Sequence, residues 1–140
     1  MSTWMWFAAA CEVPTPFVET EDSGVDTGNP TASTEGPRLS ELQEGLFTPA
    51  CTTGCHDART AAGGLVLEPG TSWAQLVGVP ANGLPAARRV SPGASVNSYL
   101  VMKLEGASEI VGLRMPIGTA LDPTAVTPVR AWIDAGALDN

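Results

Sequence analysis

The feature that most constrains this chain is the six-residue stretch Cys51-Thr52-Thr53-Gly54-Cys55-His56. Two of the three cysteines stand here with three residues between them, and the only histidine follows the second cysteine directly. Two sulfurs and an imidazole so close in sequence predict that all three bind one shared partner. In a chain of 140 residues with much Gly and Pro, that partner is expected to form part of the core.

The chemistry of these side chains favours a covalently attached haem. Each cysteine sulfur can add to a vinyl group of the porphyrin, and the adjacent imidazole can then bind the iron from one face. This assigns Cys51 and Cys55 to the covalent bonds and His56 to the metal. The usual spacing has two residues between the cysteines, so the three found here are a departure.

Three other interpretations of the stretch stay open at this point. Cys51 and Cys55 can form a disulfide, although so short a ring constrains little of the unfolded chain. A closed zinc site needs four ligands, and the third cysteine, Cys11, lies far upstream. A catalytic dithiol normally lies at the start of a helix in a strand-rich domain, which the sequence does not predict.

The chain divides at about Leu39 into a low-complexity first part and a domain that contains the six-residue stretch. Residues 1–10 are apolar and end in three alanines before Cys11, which is typical of an export signal with a lipoprotein cleavage site. Cys11 is then the lipidation candidate. A free N-terminal anchor segment is the alternative. Residues 11–38 are acidic and rich in Pro, Thr, Gly and Ser, which predicts a disordered tether.

The net charge of −8 argues against two classes of partner. Nucleic acids and anionic membrane surfaces both attract basic proteins, so neither is expected to bind this chain through its charge. Six of the 15 acidic residues fall before Leu39. The domain at residues 39–140 is therefore only mildly acidic.

Hydrophobic periodicity predicts an all-α fold of three to four short helices joined by long loops. The expected helices run from Leu39 until Pro49 ends the first, from Ser72 to Val77, from Ser95 to about Leu104, and from Pro123 to a stop at Gly136. Ser40 and Gln43 are expected to form a capping box, and Asp122 to cap the last helix. The expected core face of that helix comprises Val126, Val129, Trp132 and Ile133. Trp132 is placed to pack on the first helix beside Gly45.

Residues 80–93 are expected to form a connector rich in Pro, Gly and Ala. Arg88 and Arg89 within it suit recognition of haem propionates, although a solvated surface pair is the more common outcome. In the preceding helix, Trp73, Leu76 and Val77 are available to cover an apolar cofactor. Ordinary core packing explains Trp73 equally well.

Met115 is the candidate for a second iron ligand. With one histidine in the chain, a six-coordinate haem needs a thioether, a lysine or an outside ligand on the other face. Met1 and Met5 lie in the signal-like segment and Met102 lies within an expected helix, whereas Met115 lies in the long loop 105–121. The alternative is a loop methionine that fills a gap in the core.

Together these residues resemble the small monohaem class I cytochrome c family over about residues 39–137. The likeness rests on a first helix with Gly45 and Phe47, the stretch Cys51–His56, the later Met115-Pro116, and a terminal helix with Trp132. It is closest to short haem domains on bacterial lipoproteins behind acidic linkers. The resemblance implies a bundle of three to four helices wrapped around one covalently bound haem c. Cys51 and Cys55 would hold the haem, with His56 as its proximal and Met115 as its distal ligand.

The resemblance further implies an exported electron carrier and not an enzyme. It would lie in the periplasm or at the cell surface, anchored to a bacterial membrane through a lipidated Cys11, and would exchange electrons with redox partner proteins. The chain has no lysine-rich face, so partners with basic or neutral surfaces are expected. Two other classes stay open. One is a haem enzyme or ligand sensor with Arg114 near the iron, and the other is a cofactor-free lipoprotein module in which Cys51 and Cys55 form a disulfide.

Overall fold

The structure, a computed structural model, describes residues 36–140. In this part of the chain four α-helices and one two-stranded sheet surround a shared hydrophobic core. The signal-like segment 1–10, nearly all of the tether and the lipidation candidate Cys11 lie outside the described residues. Within 36–140, no helix combines the length and the apolar character needed to cross a membrane.

The first helix is longer than the sequence predicts. Helix α1 (Leu39–Leu42) continues into a wider, π-type helical segment, Gln43–His56, which contains Pro49. The expectation that Pro49 ends the helix is therefore wrong. Glu44 and Gly45, one turn earlier, are exposed, so the carbonyl that loses its N–H partner at the proline faces water.

The cap of α1 also differs from the expected one. Helix geometry begins after Arg38, whose backbone N–H donates to the Glu41 carboxylate at 3.0 Å. Ser40 lies within the helix and caps nothing. Gln43 is buried, and its Nε2 donates to the carbonyl of Leu67 at 2.9 Å. The side chain predicted to cap the helix instead ties it to the chain that follows His56.

The second helix was predicted correctly, whereas the connector after it was not. Helix α2 (Ser72–Leu76) follows Thr71 at its N-cap position, which confirms the expected helix. The connector, however, contains an antiparallel hairpin of β1 (Pro80–Ala81) and β2 (Leu84–Arg88). The fold is thus mainly helical but not all-α. The turn is Asn82-Gly83, a dipeptide favoured in two-residue hairpin loops.

The third helix begins later than Ser95. A 3₁₀ turn spans Ser95–Asn97, and helix α3 (Tyr99–Glu105) starts after Ser98. Ser95 instead donates its hydroxyl to the Asp134 carboxylate at 2.9 Å. Because the turn precedes the helix, Val96 is 68 % exposed and does not join the core. Tyr99, Leu100 and Leu104, which lie on α3 itself, are buried.

The last helix, α4 (Pro123–Asp134), confirms its prediction. Asp122 accepts the backbone N–H of Thr124 at 2.8 Å, and a proline occupies the first turn, where it loses no hydrogen bond. All four residues of the expected core face are at most 3 % exposed, namely Val126, Val129, Trp132 and Ile133. These side chains form the centre of the core beside Phe47, which is fully buried.

The expected crossing of helices at Gly45 is wrong. Gly45 is exposed, and a Cβ there would meet no atom within 4 Å. The close approach occurs at Gly36, where a Cβ would lie 3.0 Å from the Cβ of Ala135 and 3.3 Å from the carbonyl oxygen of Ala131. The missing side chain at Gly36 therefore lets the start of the domain lie against α4.

Candidate functional site

One cavity of about 360 Å³ is lined by Cys51, Cys55, His56 and Met115. This volume lies within the range of small-molecule pockets, and the lining is almost entirely apolar. Other lining residues come from the helices, the hairpin and the loops, and include Ala50, Leu65, Leu67, Leu76, Ala81, Leu100, Leu104, Pro116 and Ile117. The fold therefore brings the six-residue stretch and the long loop, which are far apart in sequence, to one place.

A break in the helical segment shapes the start of the site. Thr53 adopts extended geometry with ψ 118°, and Gly54 adopts the left-handed conformation with φ 74°, which glycine takes without strain. The Asp57 carboxylate holds this turn by accepting the backbone N–H of Gly54 at 2.8 Å and that of Thr60 at 2.8 Å. Hydrogen bonds from Thr60, Gly54 and Arg59 lower the pKa of Asp57, so the carboxylate stays charged at neutral pH.

His56 presents one ring nitrogen to the protein backbone. Its Nδ1 lies 3.3 Å from the carbonyl oxygen of Leu65. A carbonyl can only accept, so this contact requires the tautomer with the proton on Nδ1, which leaves a lone pair on Nε2. Burial lowers the pKa of His56, the carbonyls of Leu65 and Ala62 oppose that shift, and the charges of Arg89 and Lys103 add to it. The ring is therefore neutral at pH 7, as a metal ligand must be.

The two cysteines of the stretch are not bonded to each other. Cys51 is a free thiol, which excludes the small Cys51–Cys55 disulfide as the arrangement in this structure. Burial raises the pKa of Cys51 to about 11, so the thiol stays protonated at neutral pH. Cys55 is disulfide-bonded here, and any other covalent bond at its sulfur requires the thiol to be regenerated first.

The zinc alternative gains no support from the described residues. Within 36–140, no group of three or more His, Cys, Asp or Glu side chains is placed to hold a metal ion. A closed zinc site would need four such ligands around one point.

Side chains of α3 hold the Met115 loop over the cavity. The backbone N–H of Met115 donates to the carbonyl of Lys103 at 2.9 Å. The Lys103 ammonium donates to the carbonyls of Val111 at 2.7 Å and Leu113 at 2.9 Å. The hydroxyl of Tyr99 accepts the N–H of Val111 at 3.0 Å. These four bonds hold the backbone of the loop, and the side chain of Met115 is half-buried in the cavity wall.

The two connector arginines differ from each other. Arg88 is exposed and donates to the carbonyl of Gly78, whereas Arg89 is only 8 % exposed and lines the cavity. The expectation of a solvated surface pair is therefore wrong for Arg89. Its guanidinium donates to the carbonyls of Gln75 and Gly64, each at 2.9 Å. Burial lowers the pKa of Arg89, which remains a cation at neutral pH because arginine starts so high.

Two other candidates lie away from the cavity. Arg114 donates its Nε to the carbonyl of Leu104 at 2.9 Å and does not line the cavity. Trp73 is 37 % exposed and donates its Nε1 to the carbonyl of Ala137, so it neither covers the cavity nor fills the core. From the same helix, Leu76 is fully buried and does line the cavity.

Several lining residues were not recognised in the sequence as part of a site. Tyr99 and Lys103 stand four residues apart on α3, one turn of helix, and therefore face the same side. Asn82 and Gly83 form the tip of the hairpin, where a Cβ on Gly83 would lie 2.6 Å from the Tyr99 hydroxyl. The Asn-Gly dipeptide was the signal that could have predicted the hairpin, but not its position over the cavity.

The residues present fit a covalently attached haem. Two sulfurs, an imidazole with its Nε2 lone pair available, and a thioether all line one apolar cavity. If such a group were attached, Cys51 and, after reduction of its disulfide, Cys55 would hold the macrocycle, and His56 and Met115 would be the ligands available to the iron. Comparisons of this chain with protein-family models, with curated proteins and with solved structures found no match.

Proposed function

We propose that this chain is an exported c-type cytochrome that carries one electron at a time between redox partner proteins. The observation that supports this most is the shared cavity of Cys51, Cys55, His56 and Met115. A chance placement of Met115 beside the stretch is disfavoured, because four hydrogen bonds from α3 and its side chains hold that loop in place. Bound haem c, one per chain, supplies the ferric–ferrous couple.

Each residue of the site has a distinct part in this proposal. Once a thiol reductant has cleaved the disulfide of Cys55, the sulfurs of Cys51 and Cys55 would each add as S–H across a vinyl group, so no atom is lost in the addition. His56 binds through Nε2, and the Leu65 carbonyl on Nδ1 keeps the ring oriented. Met115 supplies a thioether, which favours the ferrous state and a relatively high reduction potential.

The apolar wall governs access to the site. Leu65, Leu76 and Leu104 exclude water from the cavity, and low water content stabilises the less charged form of a redox centre. The charges that lower the pKa of His56 are those of Arg89 and Lys103. Both are positive, so both also favour the reduced state. The same proposal includes export of the protein, its anchoring through Cys11 and electron exchange with redox partner proteins.

The decisive experiment is intact mass under denaturing, reducing conditions together with an absorption spectrum. The protein is produced with a haem-attachment system, beside a C51S/C55S control. We expect the wild-type mass to exceed the polypeptide mass by one haem, with a reduced c-type spectrum, and the control to lack both. A bare polypeptide mass without a Soret band in the wild type would refute the proposal.

A haem enzyme or ligand sensor is the alternative, and it needs an open or displaceable sixth position with a polar group beside it. Arg114 does not line the cavity, and Lys103 is already bonded to two carbonyls. Carbon monoxide binding by the reduced protein separates the two functions. Rapid binding by the wild type would favour the alternative, whereas an electron carrier with Met115 bound is expected to bind it slowly.

A further inference from the structure

Within the part of the chain that the structure describes, Arg89 is a buried cation without an acidic partner. Among residues 36–140 the one recorded ion pair joins Arg130 and Glu105, so the Arg89 charge rests on carbonyl dipoles. Its Nη1 donates to the carbonyl of Gln75 at 2.9 Å, and its Nη2 to those of Gly64 at 2.9 Å and Gly63 at 3.4 Å. Burying a guanidinium costs free energy unless its donors are satisfied, so these bonds indicate a specific role.

Two of the carbonyls that Arg89 holds, those of Gly63 and Gly64, lie in sequence between the two carbonyls that face His56. His56 interacts with the carbonyls of Ala62 and Leu65, the residues on either side of the Gly63-Gly64 pair. Gly63 and Gly64 are both left-handed, with φ 62° and 67°. The N–H groups of Gly64 and Leu65 donate to the carbonyls of Ala61 and Ala62, whereas side-chain donors hold the carbonyls of Gly63 and Gly64. A second donor, Asn82 Nδ2, bonds the carbonyl of Gly63 at 2.7 Å.

We propose that Arg89 is a positioning residue for His56. By fixing segment 62–65, its guanidinium holds the Leu65 carbonyl in place as the acceptor for His56 Nδ1. This inference rests on the proposed function only in that His56 then serves as an iron ligand. A strong acceptor on Nδ1 makes the imidazole a better electron donor and stabilises ferric iron. Loosening the segment should therefore raise the reduction potential.

Substitution by lysine separates positioning from charge. Arg89→Lys keeps the positive charge. A single ammonium group, however, cannot donate to carbonyls in two separate segments of the chain, as the two Nη atoms of the guanidinium do. Arg89→Gln removes the charge as well, which by itself lowers the potential. Arg88→Lys is the matched control, because Arg88 is exposed and donates to a carbonyl that lies outside segment 62–65.

The experiment measures three properties of the wild type, R89K, R89Q and R88K: covalent haem content, reduction potential, and exchange of the His56 ring N–H by NMR. We expect equal haem content in all four. In R89K, the ring N–H should exchange roughly three- to tenfold faster, the factor that corresponds to losing one net hydrogen bond. The potential should rise by about 30 to 60 mV, a three- to tenfold shift for one electron.

The outcomes distinguish the two proposals. If R89K matches the wild type in exchange and potential while R89Q lowers the potential, Arg89 acts through charge alone and the positioning role is refuted. If R89K fails to fold, the milder variant Asn82→Ala, at an exposed residue, takes its place. It should show smaller changes of the same sign in ring N–H exchange and reduction potential. No change in either property would refute the positioning role.

The inference can also be tested if the protein carries no haem. The chain has one histidine, so its ring ¹⁵N signals need no assignment. In the wild-type apo-protein we expect the tautomer with the proton on Nδ1, and in R89K a shift toward the mixture of a free imidazole. Identical tautomers in both would refute the positioning role, whatever the cofactor.

Discussion

Substituting Thr52 tests whether the helical segment through Pro49 is held as the structure describes. Thr52 lies between the two cysteines, is 8 % exposed, and its hydroxyl lies 2.9 Å from the carbonyl of Phe47 and 2.7 Å from that of Leu67. One bond closes the helical turn and the other ties it to the chain after His56. Valine has the same shape but no donor.

The magnitude follows from these contacts. A hydroxyl has one proton and donates one hydrogen bond at any moment. Thr52→Val therefore removes a single hydrogen bond, worth about 1 kcal/mol net. The Leu67 carbonyl keeps its bond from Gln43, which limits the cost of the buried acceptor that remains. We therefore expect the free energy of unfolding to fall by about 1 to 2 kcal/mol.

The assay is urea unfolding of Thr52→Val beside Thr53→Val, with both proteins in the same cofactor state. Thr53 is the neighbouring residue, exposed and extended, so its substitution should change stability by less than about 0.5 kcal/mol. If the two variants unfold within about 0.5 kcal/mol of each other, the hydroxyl of Thr52 does not hold the segment and the reasoning fails.

Three other predictions concern the ligand, the core and acid stability. Met115→Ala should open the sixth position, and an unchanged ligand-to-iron absorption band and potential would remove Met115 from the site. Leu76→Ala, at a fully buried cavity residue, should cost about 2 to 5 kcal/mol in urea unfolding, and Val96→Ala, 68 % exposed, less than about 0.5 kcal/mol; equal costs would contradict the described core. The N–H and hydroxyl of Ser95 lower the pKa of Asp134 below its usual 3.8, so its stabilisation is present above that pH and lost as the pH falls further. Asp134→Asn should flatten this acid loss in circular dichroism, and an unaltered acid profile would show that the carboxylate does not contribute.

Helix α4 shows what local pattern predicts well. Asp122, Pro123 and the core face that includes Trp132 all take their expected places. The cap, the first-turn proline and the apolar face act within one helix, so each signal is readable without knowing the rest of the fold. The long loop with Met115 was also expected, and no helix or strand occurs between Glu105 and Pro123.

The predictions from sequence are wrong where tertiary contacts or solvent exposure decide the local structure. Pro49 was expected to end a helix, but its exposed position lets the segment continue. The third helix was expected to begin at Ser95, but the Asp134 carboxylate on α4 binds Ser95 and α3 begins at Tyr99. Arg89 was expected at the surface, but three carbonyls from two other segments hold it inside. In each case the competing interaction comes from residues distant in sequence or from solvent exposure, which periodicity does not encode.

The sequence by itself determined the chemistry available to this site: the two cysteine sulfurs of the stretch Cys51–His56, one imidazole and one loop thioether, in a mildly acidic domain. These follow from residue types and spacing, which no fold can alter. The tertiary structure decided which of them meet. Met115 reaches the cavity of His56 because α3 holds its loop, and the Nδ1 proton of His56 is set by a carbonyl nine residues further along the chain. Such contacts depend on how separate segments pack, so only the folded chain specifies them.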